Sequence, residues 1–147
     1  MLRIEPATQD DIDALGGLLQ QLFAIEADFH FDATKTDRAL QQLINDERAC
    51  VLVARDNDKV IGMCTAQLVI STAEGAYSAW VEDVVVDKQQ HGKGIGTQLL
   101  NTIGEWAKGQ GATRLQLLAD MENQPALEFY RRSGWQQLQL QAWRKKQ

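Results

Sequence analysis

The chain has 147 residues, with 15 basic and 20 acidic side chains and a net charge of −5 at pH 7. This length suits one domain, expected over residues 1–147, and the acidic balance disfavours a nucleic-acid-binding surface. No apolar run approaches the ~20 residues that cross a bilayer, and the first residues lack the pattern of a secretory signal, so we expect no membrane association and a cytoplasmic location.

The first half of the chain predicts a strand, two helices and a second strand. Leu2 and Ile4 alternate with polar residues as in a strand, and Thr8 marks the start of a helix. The buried stripe of that helix is expected to comprise Ile12, Leu15, Leu18, Leu19 and Leu22. Thr36 is expected to cap a second helix, and residues 50–54 predict a strand that ends at a turn over residues 56–58.

The second half predicts a hairpin followed by shorter elements. Two long strands over residues 60–70 and 77–86, the second of them taken as the central strand, are joined by turn-forming residues at positions 72–75. A helix over residues 97–108 and a strand over residues 115–118 follow. Pro125 begins a short helix that Gly134 ends, and residues 135–143 are expected to close the sheet. Together these elements predict a mixed α/β fold.

A glycine-rich loop separates the valine run at residues 84–86 from the next helix. Gly92, Gly94 and Gly96 carry no Cβ, so the backbone can turn tightly and point its N–H groups at a ligand. The start of the following helix adds free N–H groups and the positive end of the helix dipole. The pattern indicates a di- or triphosphate site, and a turn that only reverses the chain direction is the alternative.

Two well-known phosphate motifs do not fit this loop. A P-loop ends in Gly-Lys-Ser/Thr after a four-residue spacing, which the chain lacks. A dinucleotide fingerprint requires Gly or Ala in its third slot, where this chain has Thr97 or Leu99, depending on the glycine from which the count starts.

Two segments instead carry a family resemblance. Residues 91–96, His-Gly-Lys-Gly-Ile-Gly, resemble the acetyl-coenzyme A (acetyl-CoA) signature Gln/Arg-x-x-Gly-x-Gly/Ala of the GNAT N-acetyltransferases, with His91 in the slot where the family has Gln or Arg. Residues 123–135 resemble the second cofactor segment of that family, from Asn123 through a Phe-Tyr pair ending at Tyr130 to a closing Gly134-Trp135. The resemblance covers nearly the whole chain.

The resemblance implies a fold and a co-substrate. The fold is an α/β, GNAT-like mixed, mostly antiparallel central sheet of six to seven strands, with helices on both faces and a splayed central strand pair whose gap holds the pantetheine arm. The co-substrate is acetyl-CoA. By resemblance, the cofactor-binding residues are Val84, Val85, Val86, His91, Gly92, Lys93, Gly94, Ile95, Gly96, Thr97, Asn123 and Tyr130.

Some of these residues also have simpler interpretations. Asn123 suits the N-cap of the last short helix, and Lys93 suits a position in solvent. The valines suit a buried strand, which does not prevent their main chain from binding a ligand.

His30 and His91 show no metal-ligand spacing, and we expect no structural metal. Cys50 and Cys64 lie in apolar, strand-like surroundings and are expected to be buried thiols.

Acetyl transfer to an amine requires two proton transfers, one from the attacking amine and one to the departing thiolate. An alkylamine with a pKa of about 10.4 is protonated at neutral pH, so a carboxylate that accepts its proton favours attack. Glu82 is the favoured base by resemblance, and Asp83, which regular strand alternation places on the opposite face, is the reserve candidate. Tyr130 matches the family tyrosine that protonates the departing sulfur, and a main-chain amide near Val84 is expected to stabilise the oxyanion.

The acceptor is less defined by the sequence. Aromatic and acidic residues before the sheet suit a small cation, namely Glu26, Asp28, Phe29, His30, Phe31 and Asp32, although a solvated helix end explains them as well. The expected function is N-acetylation of a primary amine of a small molecule. Acetylation of protein N-termini or lysines and a catalytically silent acyl-CoA-binding module are the alternatives. A homodimer is compatible with the apolar C-terminal residues Leu138, Leu140 and Trp143.

Overall fold

The computed structural model describes residues 1–26 and 28–147. These residues form two compact units, Met1–Leu117 and Leu118–Gln147. The single domain expected over the whole chain stays a prediction. Within the described residues, no helix combines the length and the apolar character that a membrane crossing requires.

The first unit contains one sheet and three helices. Its strands are β1 (Leu2–Pro6), β2 (Ala49–Asp56), β3 (Lys59–Ser71), β4 (Ala76–Val86) and β5 (Ala112–Leu117), and its helices are α1 (Ile12–Ile25), α2 (Ala33–Asn45) and α3 (Ile95–Gly109). Short 3₁₀ turns occupy Gln9–Asp11 and Lys88–Gln90. The second unit contains α4 (Gln124–Arg132). The helices and most strands lie close to the predicted positions.

The sheet has the strand order β1-β2-β3-β4-β5. The first three pairings are antiparallel and β4 pairs with β5 in parallel, which confirms the mixed, mostly antiparallel sheet. The count of six to seven strands was too high, since the described residues form five, and β3 rather than the valine-rich β4 is the middle strand. Residues 135–143, predicted to close the sheet, have no assigned strand, and Trp135 instead continues the end of the preceding helix through its amide, which donates to the Tyr130 carbonyl.

Helices cover both faces of the sheet. Met63 of β3 is fully buried in a cluster with Leu15 and Leu18 of α1 and Leu40 of α2. The next residue along β3, Cys64, points to the opposite face, where its Sγ donates to the Leu99 carbonyl of α3 over 3.8 Å. The predicted stripe of α1 is confirmed at Ile12, Leu15, Leu18 and Leu19, which are buried, whereas Leu22 is only partly buried against the same cluster.

Two local features of the first unit were not predicted. The N-cap of α2 is Asp32, whose side chain accepts from the Lys35 amide, whereas Thr36 lies inside the helix and donates its hydroxyl to the Asp32 carbonyl. A buried ion pair also joins strand β2 to the first helix. Arg55 donates to both carboxylate oxygens of Asp11 at 3.0 and 3.1 Å and to Glu5 at 2.7 Å. This network satisfies the buried Asp11 carboxylate.

Candidate active site

Strand β4 extends beyond its parallel neighbour. The pairing with β5 runs from Tyr77–Ala112 to Val81–Leu117 and stops there, whereas β4 continues to Val86. Within the first unit, residues 82–86 therefore have β3 on one side and no strand on the other. This gap matches the splayed strand pair that the family resemblance implied, and within the first unit the main-chain groups of residues 83–85 that face away from β3 have no strand partner.

A β-bulge interrupts β4 at the start of this gap. Thr65 pairs with Glu82 and Met63 pairs with Val85, so Asp83 and Val84 together stand opposite the single residue Cys64. Asp83 adopts a left-handed backbone with φ of 53°. Regular alternation was the wrong premise here, because Glu82 shares its face with Val85 rather than with Val84.

The bulge gives its two carboxylates different surroundings. The side chain of Glu82 is exposed and that of Asp83 is half-buried. The buried hydroxyl of Thr65 lies 3.4 Å from Asp83 Oδ2 and 3.2 Å from the Glu82 carbonyl oxygen, and it donates to these acceptors. The pKa of Asp83 is raised to about 6, chiefly by removal from water and in addition by the charges of Glu82 and Glu26, while the Thr65 hydrogen bond opposes the rise.

Two of the three glycines of the predicted loop, Gly92 and Gly94, have the backbone of a tight turn, whereas Gly96 lies inside α3, which begins at Ile95 rather than at Thr97. Gly92 and Gly94 have φ of 80° and 76°, values that side chains disfavour. No atom lies within 4 Å of the position that a Cβ would take at either glycine, so the space beside them is open. Gly94 is the N-cap of α3 and its carbonyl accepts from the Gln98 amide. The amides of the first helical turn therefore have no partner within the helix and suit an anion.

The two charged or polar side chains of the loop make local contacts. The His91 ring donates from Nε2 to the Val86 carbonyl at 2.8 Å, which assigns the proton to that nitrogen. Lys93 Nζ donates to Gln90 Oε1 at 2.8 Å. His91 thus ties the loop to the end of β4, and the loop offers main-chain amides rather than the side chain that Gln or Arg would supply.

An aromatic cluster and an acidic residue follow the end of α1. The ring of Phe23 stacks on Phe29 with 5.6 Å between centroids and contacts Phe31 at 6.4 Å. Glu26 is close enough to Asp83 to act on its pKa. The structure therefore brings part of the predicted acceptor region to the β4 bulge, whereas Asp32 serves as the cap of α2. Phe23 was not among the predicted acceptor residues, although the sequence places it just before the same aromatic and acidic stretch.

In the second unit, the predicted site residues Asn123 and Tyr130 lie at the start of α4 and within it. Asn123 is the N-cap of α4 and accepts from the Ala126 amide at 3.2 Å, as in its simpler interpretation. Tyr130 is half-buried and its ring contacts Phe129 and Trp135, with centroids 5.3 and 6.0 Å apart. Gly134, with φ of 88°, ends the helix, and the Trp135 amide donates to the Tyr130 carbonyl.

The cysteines have the predicted environment. Cys50 and Cys64 are buried and unbridged. Burial raises the pKa of the Cys50 thiol to about 11 and raises that of Cys64 above its usual range. Both side chains are therefore protonated thiols rather than nucleophiles at neutral pH. No group of three or more metal-ligating side chains occurs among the residues that the structure describes.

A family comparison accounts for the arrangement of loop, gap and sheet. Residues 19–135 match the acetyltransferase (GNAT) family. The chain belongs to the GNAT family. This match begins in α1 of the first unit and ends after α4 of the second, so both units contribute residues to the GNAT pattern.

Individual GNAT relatives are similar over most of this chain. An N-acetyltransferase from Methanocaldococcus jannaschii is 28% identical over 93% of the chain, which spans 62% of the length of that relative. An aminoalkylphosphonate N-acetyltransferase from Salmonella typhimurium is 28% identical over 89% of this chain and 82% of its own. An aminoglycoside N-acetyltransferase solved in complex with CoA has the same fold, with a TM-score of 0.87 at 14% identity over 99% of this chain and 95% of that one.

Proposed function

We propose that this chain transfers the acetyl group of acetyl-CoA to a primary amine of a small molecule. The observation that carries the proposal is the open glycine loop at the start of α3, which lies directly after the last residues of β4, where that strand has no neighbour on one side within the first unit. A diphosphate and an extended amide arm are the two parts of coenzyme A that such a loop and such an edge would bind. The CoA complex of the structurally similar aminoglycoside enzyme supports the assignment.

The residues of the first unit fit the coenzyme. An added Cβ at Gly92 or Gly94 would project into open space, so the glycines keep that space free for phosphate oxygens. The amides of Gly94, Ile95, Gly96 and Thr97 would bind the diphosphate, and Lys93 would add positive charge. The main chain of Val84, Val85 and Val86 would bind the pantetheine arm. When bound, acetyl-CoA supplies the activated acyl group.

We assign the proton acceptor for the amine to the carboxylates at the β4 bulge. Glu82, which is exposed and directly precedes the gap, is the proposed base, in keeping with the family resemblance. Asp83 is the second candidate, because its pKa of about 6 suits proton acceptance near neutral pH. A main-chain amide near Val84 is proposed to stabilise the negative charge that develops on the carbonyl oxygen.

Tyr130 is proposed as the acid that protonates the departing thiolate. The support is its position in residues 123–135, which resemble the second cofactor segment of the family and lie within the range that matches it. Asn123 caps α4 and is proposed to bind the coenzyme through the hydrogen-bonding capacity that its cap leaves.

The acceptor is proposed to be a small cationic amine. The stacked rings of Phe23 and Phe29 with the nearby charges of Glu26 and Asp83 provide an apolar and negative environment for an ammonium group. The net charge of −5 favours the same class. An aminoalkylphosphonate N-acetyltransferase among the relatives also takes its name from a small amine. A homodimer and a cytoplasmic location complete the proposal.

A panel of amines tests this function. The purified chain is mixed with acetyl-CoA and, in turn, with diamines, aminoalkylphosphonates, amino sugars, a lysine peptide and a peptide with a free N-terminus, while thiol release is recorded. We expect release that depends on a small amine. Faster release with either peptide would assign the chain to protein acetylation. Tight coenzyme binding without release from any amine would support the silent binding module instead.

A further inference from the structure

A buried hydroxyl of β3 faces the bulge in β4. Thr65 stands opposite Glu82 in the register of the two strands and is only 2% exposed. Met63, two residues earlier on the same face of β3, is fully buried in the apolar cluster with α1 and α2. A hydroxyl removed from water in such a region requires a hydrogen-bond partner within the protein, and the bulge supplies two of them.

The Thr65 hydroxyl has a single proton for these two acceptors. Its Oγ1 lies 3.2 Å from the Glu82 carbonyl oxygen and 3.4 Å from Asp83 Oδ2. Both distances exceed the roughly 2.5–3.0 Å that is typical of O–H···O hydrogen bonds, so neither acceptor holds the proton exclusively. Rotation about the Cβ–Oγ1 bond directs the proton to either acceptor without moving the backbone.

The ionisation of Asp83 decides which acceptor receives the proton. A carboxylate accepts more strongly than a peptide carbonyl, so Thr65 donates to Asp83 Oδ2 when Asp83 is ionised. A protonated Asp83 is itself a donor, and its hydroxyl then donates to Thr65 Oγ1 while Thr65 donates to the Glu82 carbonyl. The two hydrogen-bond arrangements differ by one proton on Asp83, and both satisfy the buried Thr65 hydroxyl.

The ionised form of Asp83 depends on this contact, because its other surroundings disfavour a negative charge. Removal from water raises the pKa of Asp83 most, and the charges of Glu82 and Glu26 add to the rise, whereas the Thr65 hydrogen bond lowers it. The Cys64 thiol of β3 is also close enough for its pKa to respond to the charge of Asp83. Thr65 thus supplies a hydrogen bond that favours the carboxylate over the acid.

We propose that Thr65 is a positioning residue of the candidate active site, whose hydroxyl orients the Asp83 carboxylate while it is ionised and turns to the Glu82 carbonyl when Asp83 is protonated. When the ammonium group of the acceptor is the proton source, its N–H bond breaks, an O–H bond forms on Asp83, and a neutral amine remains to attack. The catalytic consequence rests on the proposed function, in which ionised Asp83 attracts the ammonium group even where Glu82 is the base. The orientation of the carboxylate is a property of the free protein.

Valine and serine at position 65 separate the hydroxyl from the packing. Thr65→Val has nearly the same shape without the hydroxyl, and Thr65→Ser keeps the hydroxyl without the methyl group. The Asp83 carboxyl is titrated by ¹³C NMR in the ligand-free protein, and Asp83→Asn assigns its signal. We expect its acid dissociation constant to fall at least about threefold in Thr65→Val and to change less than about twofold in Thr65→Ser.

Two results of this titration would overturn the proposal. One is an unchanged acid dissociation constant in Thr65→Val, which would show that the hydroxyl does not act on Asp83. The other is an equal change in Thr65→Val and Thr65→Ser, which would assign the effect to packing. Thr65→Ala also lacks the hydroxyl, and it takes the place of Thr65→Val if that variant does not fold.

The dependence of kcat/KM on pH tests the catalytic consequence. With acetyl-CoA and the amine that is acetylated fastest, the rate is expected to rise with pH as Asp83 ionises. We expect this rise to move to higher pH in Thr65→Val, by the same factor as the titration, and to keep its wild-type position in Thr65→Ser. A rise that does not move in Thr65→Val would overturn the positioning role. Absence of turnover with every amine would instead contradict the proposed function, and the ligand-free titration would still decide whether Thr65 orients Asp83.

Discussion

Glu82 and Asp83 show how one backbone irregularity separates two adjacent carboxylates. The bulge turns Asp83 toward the Thr65 hydroxyl and leaves Glu82 exposed. A base must be ionised when it meets its substrate, and a pKa of about 6 keeps Asp83 ionised above that pH while it still binds a proton readily. The two carboxylates remain the two candidates for the proposed base, and variants of each distinguish them.

The dependence of rate on pH identifies the base. We expect Glu82→Gln to lower kcat/KM at pH 7 by about 10²-fold and to approach the wild-type rate as the pH nears the amine pKa of about 10.4, because the amine then loses its proton unaided. Asp83→Asn is the matched variant and keeps the left-handed backbone, which Asn tolerates. The role would pass to Asp83 if the ratio of kcat/KM between Glu82→Gln and the wild type stayed constant across pH. In that case kcat/KM of Asp83→Asn should instead approach the wild-type value at high pH.

Tyr130→Phe tests the acid without removing the ring contacts. The ring packs against Phe129 and Trp135, and phenylalanine preserves that packing. We expect turnover to fall by about 10²-fold, while the affinity for CoA, measured by calorimetry, changes by less than about threefold. Unchanged turnover would remove the Tyr130 hydroxyl from the mechanism.

At the scale of elements, the glycine loop combines an unusual backbone with unoccupied space. A side chain at Gly94 meets no protein atom within 4 Å, so its cost to the free protein is the left-handed backbone alone. Gly111, in the turn before β5, has φ of 91° and is equally open. The two positions therefore separate backbone strain from interference with a ligand.

Alanine at these two glycines gives different results if the loop binds the coenzyme. We expect Gly94→Ala and Gly111→Ala each to reduce the free energy of unfolding by about 1–2 kcal/mol. Only Gly94→Ala should weaken acetyl-CoA binding, by at least about tenfold, because its methyl group enters the space proposed for phosphate oxygens. Equal coenzyme affinity in the two variants would contradict the assignment of the loop.

The sequence predicted elements whose cause is local and missed those whose cause is distant. The stripe of α1, the hairpin of β3 and β4, and the helix that Gly134 ends follow from spacing and turn chemistry within a few residues. The bulge at Asp83 depends on the register against β3, which the sequence of β4 alone does not contain. The cap of α2 was misassigned because Thr36 and Asp32 are both good N-cap residues.

For the candidate site, motif spacing predicted the loop but not its side-chain contacts. The contact of His91 with the Val86 carbonyl and that of Thr65 with Asp83 join residues whose pairing depends on the folded backbone. The salt bridge of Arg55 with Asp11 joins β2 to the start of α1 for the same reason.

At the scale of the whole molecule, the ionisation of Asp83 couples the candidate site to stability. Its pKa is about 6 in the folded chain and 3.8 in the reference state, so folding favours the protonated form. Stability is therefore lost as the pH rises through about 6, and below about 3.8 both states are protonated and the effect vanishes. The ionised Asp83 carboxylate therefore lowers the free energy of unfolding of the wild-type chain at neutral pH.

Asp83→Asn removes that titration. We expect Asp83→Asn to have a higher free energy of unfolding than the wild type, and this difference should be about 2–3 kcal/mol larger at pH 7.5 than at pH 4. The reason is that only the wild-type chain loses stability through ionisation of Asp83 over this interval. Denaturant titrations of both proteins at the two pH values measure the difference. A gain that does not depend on pH would show that the Asp83 carboxyl titrates with its ordinary pKa.

Calorimetry with two ligands tests whether the glycine loop binds coenzyme A through its diphosphate. CoA carries the diphosphate that the amides at the start of α3 are proposed to bind, whereas pantetheine has the same amide arm without any phosphate. We expect the chain to bind CoA with a dissociation constant of about 1–100 μM and to bind pantetheine at least about 10²-fold more weakly. Equal affinities for the two ligands, or no heat with CoA, would show that the loop does not hold the diphosphate.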